Sequence, residues 1–201
     1  WGIGYNQAAN DLWLSSPLPG GGDGRNHRLS PAGADSGDTI DTRPLGGIYQ
    51  ADLAYNPFSG MFRQVNVGGD NCIYELNPTL KTVTGVKICP AFDSSQRGLA
   101  YNPLDDTFYS GSWNDGILYH FDARGAILES YNTGLAIAGL AFNPDTGRLF
   151  ALINAPGVTT ASDVYVLDAY HQFAILGSFN LGGAYSHRWG GGLEFDCTGA
   201  L

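Results

Sequence analysis

The sequence predicts an all-β protein, specifically a β-propeller of four-stranded antiparallel blades, with about four and a quarter blades in this chain. Three observations support this prediction: a short motif recurs five times, an apolar residue follows the motif at a fixed distance, and turn-forming residues are abundant. The 201 residues include 29 glycines and 10 prolines without a collagen-like period. Such a composition is typical of many tight turns that join short strands.

The recurring motif is a mostly small residue, an aliphatic one, a second mostly small residue, an aromatic ring, and Asn or Asp. The copies are Gly2–Asn6, Asp52–Asn56, Gly98–Asn102, Gly139–Asn143 and Gly192–Asp196. The aromatic positions are 41 to 53 residues apart, which is close to the length of one propeller blade. We therefore expect each copy to begin the same structural unit.

Each unit contains signals for four strands. In the first four copies an apolar residue lies six positions beyond the Asn, and in three of them a proline follows the Asn, which predicts two strands joined by an Asn-Pro turn. A third strand places a ring two residues before an apolar residue, at His27, Tyr74, Tyr119 and Tyr165. Weaker fourth strands follow, for example at 126–130 and 173–177. Because no segment carries an apolar stripe of helical period, a helical solenoid is excluded.

The repeat divides one domain, residues 1–201, into blades at about 1–46, 47–93, 94–135 and 136–186, with the start of a fifth at 187–201. A single strand cannot complete a blade. We therefore expect this chain to be a fragment of a longer protein, and self-association through the incomplete blade is the alternative.

Charge and hydropathy argue against two classes of partner. The net charge of −9 repels phosphate backbones, so we expect no nucleic-acid partner. No stretch approaches the ~20 apolar residues that a membrane helix needs, so we expect no membrane insertion.

The cysteines indicate a compartment. Cys72 and Cys89 flank a predicted hairpin, which favours a cross-strand disulfide and a secreted or cell-surface location, with two free thiols as the alternative. Cys197 is left without a predicted partner inside the chain.

Three segments, 64–76, 95–101 and 108–117, resemble propeller modules of secreted bacterial multidomain proteins. Such modules are often appended to subtilisin-like serine peptidases or to cell-surface proteins, and the blades are more distantly similar to NHL-type and lactonase-type propellers. The resemblance implies an extracellular accessory domain, with any peptidase activity in another domain. It implies no catalytic residues for this chain.

Candidate binding residues lie on one face of the predicted propeller. We call the face with the turns between first and second and between third and fourth strands the turn face, and the opposite face the loop face. The loop face carries the longest and most polar connections, so we expect ligand contacts there. The candidates are Asp70, Asn71, Trp113, Asn114, Asp115, Tyr185, Arg188 and Trp189.

Each group of candidates also has a structural interpretation. The Asp and Asn residues could bind calcium, yet Asp-Asn and Asn-Asp-Gly also suit hairpin turns, so we predict no metal site and no cofactor. The aromatic residues could stack on a sugar or peptide ring, or could simply pack between blades.

The candidates for catalysis are His187, Glu194 and Arg97. His187 lies in a loop on the loop face, and its near-neutral pKa would suit acid-base chemistry. Glu194 stands in a column otherwise filled by glycine and alanine, at 4, 54, 100 and 141. Because an unpaired buried carboxylate is costly, we expect Arg97, Arg188 or His187 to pair with it, as a structural ion pair or as part of a site.

These observations favour a non-catalytic, extracellular binding or scaffolding module that presents its loop-rich face to a protein, peptide or glycan. One alternative is a propeller hydrolase or lyase with a site at the central channel. Another is a structural subunit of an extracellular assembly.

Overall fold

The computed structural model describes residues 2–18, 21–47, 49–154, 162–182, 191–195, 199 and 201. Its sixteen strands form four antiparallel four-stranded sheets, each with its strands in sequence order. Consecutive first strands lie against one another, so the sheets surround a common axis as the blades of a propeller. This arrangement confirms the predicted fold class.

The strand bounds follow the predicted repeat. Blade 1 contains β1 (Ile3–Asn6), β2 (Asp11–Ser16), β3 (Arg25–Leu29) and β4 (Asp35–Asp41), and a short 3-10 turn at Arg43–Leu45 follows it. Blade 2 contains β5 (Tyr49–Asn56), β6 (Met61–Val67), β7 (Ile73–Asn77) and β8 (Thr82–Ile88). Blade 3 contains β9 (Gly98–Asn102), β10 (Thr107–Gly111), β11 (Ile117–Asp122) and β12 (Ile127–Asn132). Blade 4 contains β13 (Ile137–Asn143), β14 (Arg148–Ile153), β15 (Val164–Asp168) and β16 (Ile175–Phe179).

The Asn of the motif forms the turn between the first two strands. In blade 2 the side-chain oxygen of Asn56 accepts hydrogen bonds from the backbone N–H groups of Phe58 and Ser59. Asn102 and Asn143 cap their own turns in the same way. The Asn side chain thus satisfies backbone donors that the tight turn leaves unpaired, which explains its recurrence.

A row of apolar side chains crosses each blade from the axis outward. In blade 2 the row runs from Tyr55 to Phe62 opposite it on β6, and then to Leu76 on β7. Phe62 and Leu76 are fully buried and pack with Trp13 of blade 1. Burial of each such side chain contributes roughly 1.5–3 kcal/mol, so these rows hold neighbouring blades together.

Residues 191–195 lie at the axis between blade 4 and blade 1. Leu193 packs in an apolar cluster with Ala141, Leu152 and Val164 of blade 4. On the other side a methyl group added to Gly192 would overlap the backbone of Gly2 and Ile3. This segment, which we call the terminal segment, therefore occupies the place of a first strand in a fifth blade.

A disulfide links Cys72 to Cys89 and confirms the predicted pairing. It joins the residue before β7 to the residue after β8 and encloses the hairpin between them. A loop of this length contributes about 3 kcal/mol in the chain-entropy picture, and the bond is compatible with an oxidising compartment. Within the described ranges no helix is long and apolar enough to cross a membrane.

Candidate ligand cavity at the propeller axis

Asp52 occupies the axis of the propeller. It replaces the glycine that opens the other copies of the motif, and its side chain is fully buried. One carboxyl oxygen accepts hydrogen bonds from the backbone N–H groups of Leu99, at 3.2 Å, and Leu140, at 3.0 Å. The backbone N–H of Ile3 is a further donor to the carboxyl group. A single side chain of blade 2 is thus bonded to the first strands of the three other blades.

The glycines of this column leave room for that carboxyl group. A methyl group on Gly192 would overlap Oδ1 of Asp52, and one on Gly2 would overlap the backbone of blade 2. The axis is therefore filled at this level, where the sequence led us to expect a channel. Burial raises the pKa of Asp52 well above its usual range, the hydrogen bonds from Leu140 and Leu99 oppose the rise, and the charge of Glu194 adds to it.

A cavity of about 440 Å³ lies on the turn face, beyond Asp52 along the axis. Each copy of the motif contributes its aromatic residue to the wall: Tyr5, Tyr55, Tyr101, Phe142 and Phe195. The turns that follow the motif form the rim through Gln7, Pro57, Pro103, Asn143, Pro144 and Asp145. The cavity is thus a direct product of the repeat, because equivalent positions from every unit meet there.

Glu194 is the residue that breaks the symmetry of this cavity. Its column holds glycine or alanine in the other units, and of these five positions only Glu194 lines the cavity, beside the aromatic wall. Its Oε1 accepts a hydrogen bond of 3.0 Å from the backbone N–H of Phe195. Burial raises the pKa of Glu194 to about 8, although that hydrogen bond acts in the opposite direction. At neutral pH the group is therefore mostly an uncharged acid that can donate a hydrogen bond.

Arg97 does not pair with Glu194 in the described part of the chain. It lies directly before β9, on the loop face, whereas Glu194 faces the cavity on the turn face. The guanidinium donates to the backbone oxygens of Ser95 and Gln96 and stacks on Trp113. The expected ion pair between Glu194 and Arg97 is therefore not formed, because the filled axis at Asp52 lies between them.

The predicted loop-face residues hold their own connections. Asp70 accepts hydrogen bonds from the hydroxyl of Tyr74 and the ammonium of Lys87, both at 2.7 Å. Burial raises the pKa of Asp70, but these bonds outweigh it and lower the pKa to about 2. Asn71 accepts a hydrogen bond of 2.6 Å from the hydroxyl of Ser95, in the link between blades 2 and 3.

The corresponding loop of blade 3 is built in a similar way. Asp115 accepts a hydrogen bond of 2.5 Å from the hydroxyl of Ser94, and another from the backbone of Ile117. The backbone N–H of Asn114 donates to the hydroxyl of Ser112. Asp70 and Asp115 thus serve separate loops, each with its own protein donors. Their ligand-binding role stays a prediction.

One group among the described residues has the spacing of metal ligands, and it consists of Asp70, Cys72 and Cys89. Its two sulfur atoms are already joined in the disulfide, so the group offers a single carboxylate and does not fit a metal ion. The predicted residues Tyr185, His187, Arg188, Trp189 and Cys197 lie outside the described residues.

Comparison with known proteins shows the fold and no family. No family model and no curated protein matches the chain. Among solved structures, the chain is similar to hydrazine synthase of Kuenenia stuttgartiensis, with 15% identity and a TM-score of 0.61. The match covers 88% of this chain and 47% of that one, so this chain spans about half the length of that protein. At this identity the likeness supports the propeller architecture alone.

Proposed function

We propose that this chain is a non-catalytic binding propeller whose turn-face cavity takes a hydroxyl- or amine-bearing unit of a peptide or glycan. The observation that carries the proposal is the cavity itself, about 440 Å³ at the axis, with one distinctive side chain, Glu194. Its volume is within the range of small-molecule sites, which are mostly apolar with a few convergent polar groups.

The cavity wall favours neutral or cationic groups over anions. Its lining residues carry the amides of Gln7 and Asn143, the carboxyl groups of Asp145 and Glu194 and three tyrosine hydroxyls, and no lysine or arginine is among the described residues that line it. The chain as a whole carries a net charge of −9. Both features disfavour a negatively charged ligand, whereas amides and carboxyl groups can form hydrogen bonds with hydroxyl and amine groups of a ligand.

An extracellular accessory role is part of the same proposal. The disulfide supports it because such bonds persist in oxidising compartments. The resemblance to propeller modules of secreted bacterial proteins, including those appended to subtilisin-like peptidases, supports it further. On this proposal, recognition lies in this chain, and any peptidase chemistry lies in another domain.

A propeller hydrolase or lyase is the second candidate, and Glu194 favours it. A carboxyl group that keeps its proton near neutral pH is what a general acid requires. Against catalysis, Arg97 lies on the opposite face, and the oxygens of Asp52 are occupied by backbone donors. Glu194 therefore lacks the basic partner that the catalytic hypothesis assigned to Arg97.

Saturation-transfer NMR with glucose, N-acetylglucosamine and lysine amide as probes tests the proposal. We expect at least one probe to receive saturation from the wild-type chain. Gln7→Ala and Asp145→Asn should weaken that signal, since both side chains are exposed on the cavity rim and their loss leaves the core intact. Glu129→Gln on β12, outside the cavity, is the matched control and should bind like the wild type.

Binding that the rim variants leave unchanged would show that the cavity is not the site. Turnover of a glycoside or ester probe that Glu194→Gln abolishes would instead favour the enzyme.

A further inference from the structure

Arg97 is a buried arginine without a carboxylate partner in the described part of the chain. Its residue exposure is 8%, and it lies in the link between blades 2 and 3 on the loop face. Three other arginines are paired with carboxylates: Arg28 with Asp11 and Asp38, Arg43 with Asp41, and Arg63 with Glu75. Since acidic residues outnumber basic ones by 19 to 10, an unpaired buried arginine is unusual here.

The protein holds one end of the guanidinium and leaves the other edge unbonded. Nη1 donates to the backbone oxygens of Ser95, at 3.3 Å, and Gln96, at 3.0 Å. The plane of the group stacks on Trp113, with 4.5 Å between its central carbon and the ring centroid. Among the described residues Nε is buried without an acceptor, and Nη2 donates to none. Nε and Nη2 form the edge that binds carboxylates in the bidentate manner.

The electrostatic surroundings leave the charge uncompensated. Burial lowers the pKa of Arg97 to about 10, opposed by the hydroxyl of Tyr49, so the group stays cationic at neutral pH. No carboxylate in the described part of the chain is close enough to contribute. An isolated buried charge is strongly unfavourable, and a bound ion or ligand is one of the groups that satisfy such a buried donor in native proteins.

We infer that the Nε–Nη2 edge of Arg97 binds a carboxylate group of a ligand at the loop face. Trp113 and the carbonyl groups of Ser95 and Gln96 hold the plane of the guanidinium before a ligand binds. Binding therefore costs little conformational entropy of the Arg97 side chain. The site is separate from the cavity on the turn face, because the axis between them is filled by Asp52. It therefore does not depend on the function proposed for the cavity.

NMR titration of the whole chain tests this inference directly. The Nε–H signal of Arg97, assigned by through-bond experiments, reports on the binding edge itself. The probes are acetate, N-acetylglycine as a peptide carboxyl terminus, and glucuronate as a sugar acid, with ionic strength held constant by NaCl. We expect a saturable downfield shift of this signal with at least one probe. Tighter binding of N-acetylglycine would identify a peptide carboxyl terminus as the ligand, and tighter binding of glucuronate would identify a sugar acid.

Arg97→Lys is the informative variant, because lysine keeps the charge and loses the fork. We expect it to weaken binding at least about tenfold, as followed by the neighbouring backbone signals. Arg124→Lys, at an exposed arginine in the turn between β11 and β12, is the matched control and should leave the affinity unchanged.

The inference would be overturned by an equal shift with NaCl alone, by no saturable shift with any probe, or by Arg97→Lys binding as tightly as the wild type. Tighter binding of sulfate than of all carboxylates would also overturn it. If Arg97→Lys fails to fold, the wild-type titration still decides, because the observed proton belongs to the proposed contact.

Discussion

Replacement of Glu194 by glutamine should flatten the pH dependence of stability between pH 4.5 and 8, to which Asp52, with its raised pKa, contributes in the same direction. Burial raises the pKa of Glu194 from 4.5 to about 8, so the folded state holds this proton more tightly than the unfolded state does. The resulting stabilisation is fully present below pH 4.5 and is lost as the pH rises through 8. Glutamine imitates the protonated acid at every pH, so the variant should lack this loss.

The size of the effect follows from the two pKa values. A rise from 4.5 to about 8 corresponds to at most about 5 kcal/mol of unfolding free energy across the whole window. By pH 7 the titration of Glu194 alone should have cost the wild type roughly 3 kcal/mol relative to pH 4.5. For a chain of this length each kilocalorie lowers Tm by about 2–4 °C, so Tm should fall by roughly 6–12 °C.

Urea denaturation at pH 4.5, 5.5, 6.5, 7.5 and 8.5, with the disulfide intact, measures this difference. We expect the wild-type curve to fall with pH, and the Glu194→Gln curve to be flatter and to lie above it at pH 8.5. Asp70 and Asp41, whose pKa values are lowered to about 2, act below this window and with the opposite sign. Glu129→Gln is the control and should follow the wild type. Parallel slopes for wild type and Glu194→Gln would refute the reasoning, as would a wild type that gains stability from pH 5 to 8.

Three further substitutions probe the axis and the hairpin. Asp52→Ala should lower the unfolding free energy by about 2–4 kcal/mol, because it leaves buried backbone donors of three blades unpaired. Asp52→Asn keeps an acceptor and should lose less than half as much in the same urea assay. Cys72→Ala combined with Cys89→Ala should lower it by about 3 kcal/mol, and reduction of the wild type by dithiothreitol should give the same loss. Gly192→Ala should displace the terminal segment and speed amide exchange at Leu193, whereas Gly177→Ala, which faces open space, should not; equal exchange in both variants would contradict the packing described at the axis.

The blades could be predicted from the sequence because their signals are local. An Asn that caps its own turn, and an apolar residue seven positions after a ring, are properties of two adjacent strands, and the pairing of Tyr55 with Phe62 and of Tyr101 with Phe108 reproduces that spacing. Such patterns can be recognised in the sequence without knowing how many blades surround the axis. The first two strands of the four described blades therefore agree with the prediction, whereas residues 191–195 at the start of the fifth unit form no strand.

The axis could not be predicted in the same way. Asp52 stood in a glycine column and was a visible exception, but its role depends on how closely four first strands approach one another, which is a property of the closed ring. The same column comparison did single out Glu194 as a carboxyl group at a position that is small in the other units. It could not identify the groups around Glu194. Arg97 directly precedes the same motif in blade 3, yet it lies on the loop face, whereas Glu194 faces the cavity on the turn face.

The loop residues illustrate a different difficulty. Asp70 and Asp115 have the residue types of a ligand site, and the same types are used by turns that bond their own backbone and nearby hydroxyl or ammonium groups. Sequence spacing does not distinguish these uses, because the donor can come from another strand or another blade. Ser94, in the link between blades 2 and 3, is such a donor for Asp115.

The position of Asp52 in the second blade has a consequence for assembly during synthesis. A nascent chain that emerges from the ribosome carries this acceptor well before the strands of blades 3 and 4, and the partner on β13 lies 88 residues later. Each later blade can therefore dock onto an acceptor that already exists, and the order of addition is built into the chain. A circular permutant that begins at blade 3 would reverse this order, and we expect it to fold more slowly and to form more aggregates than the natural arrangement.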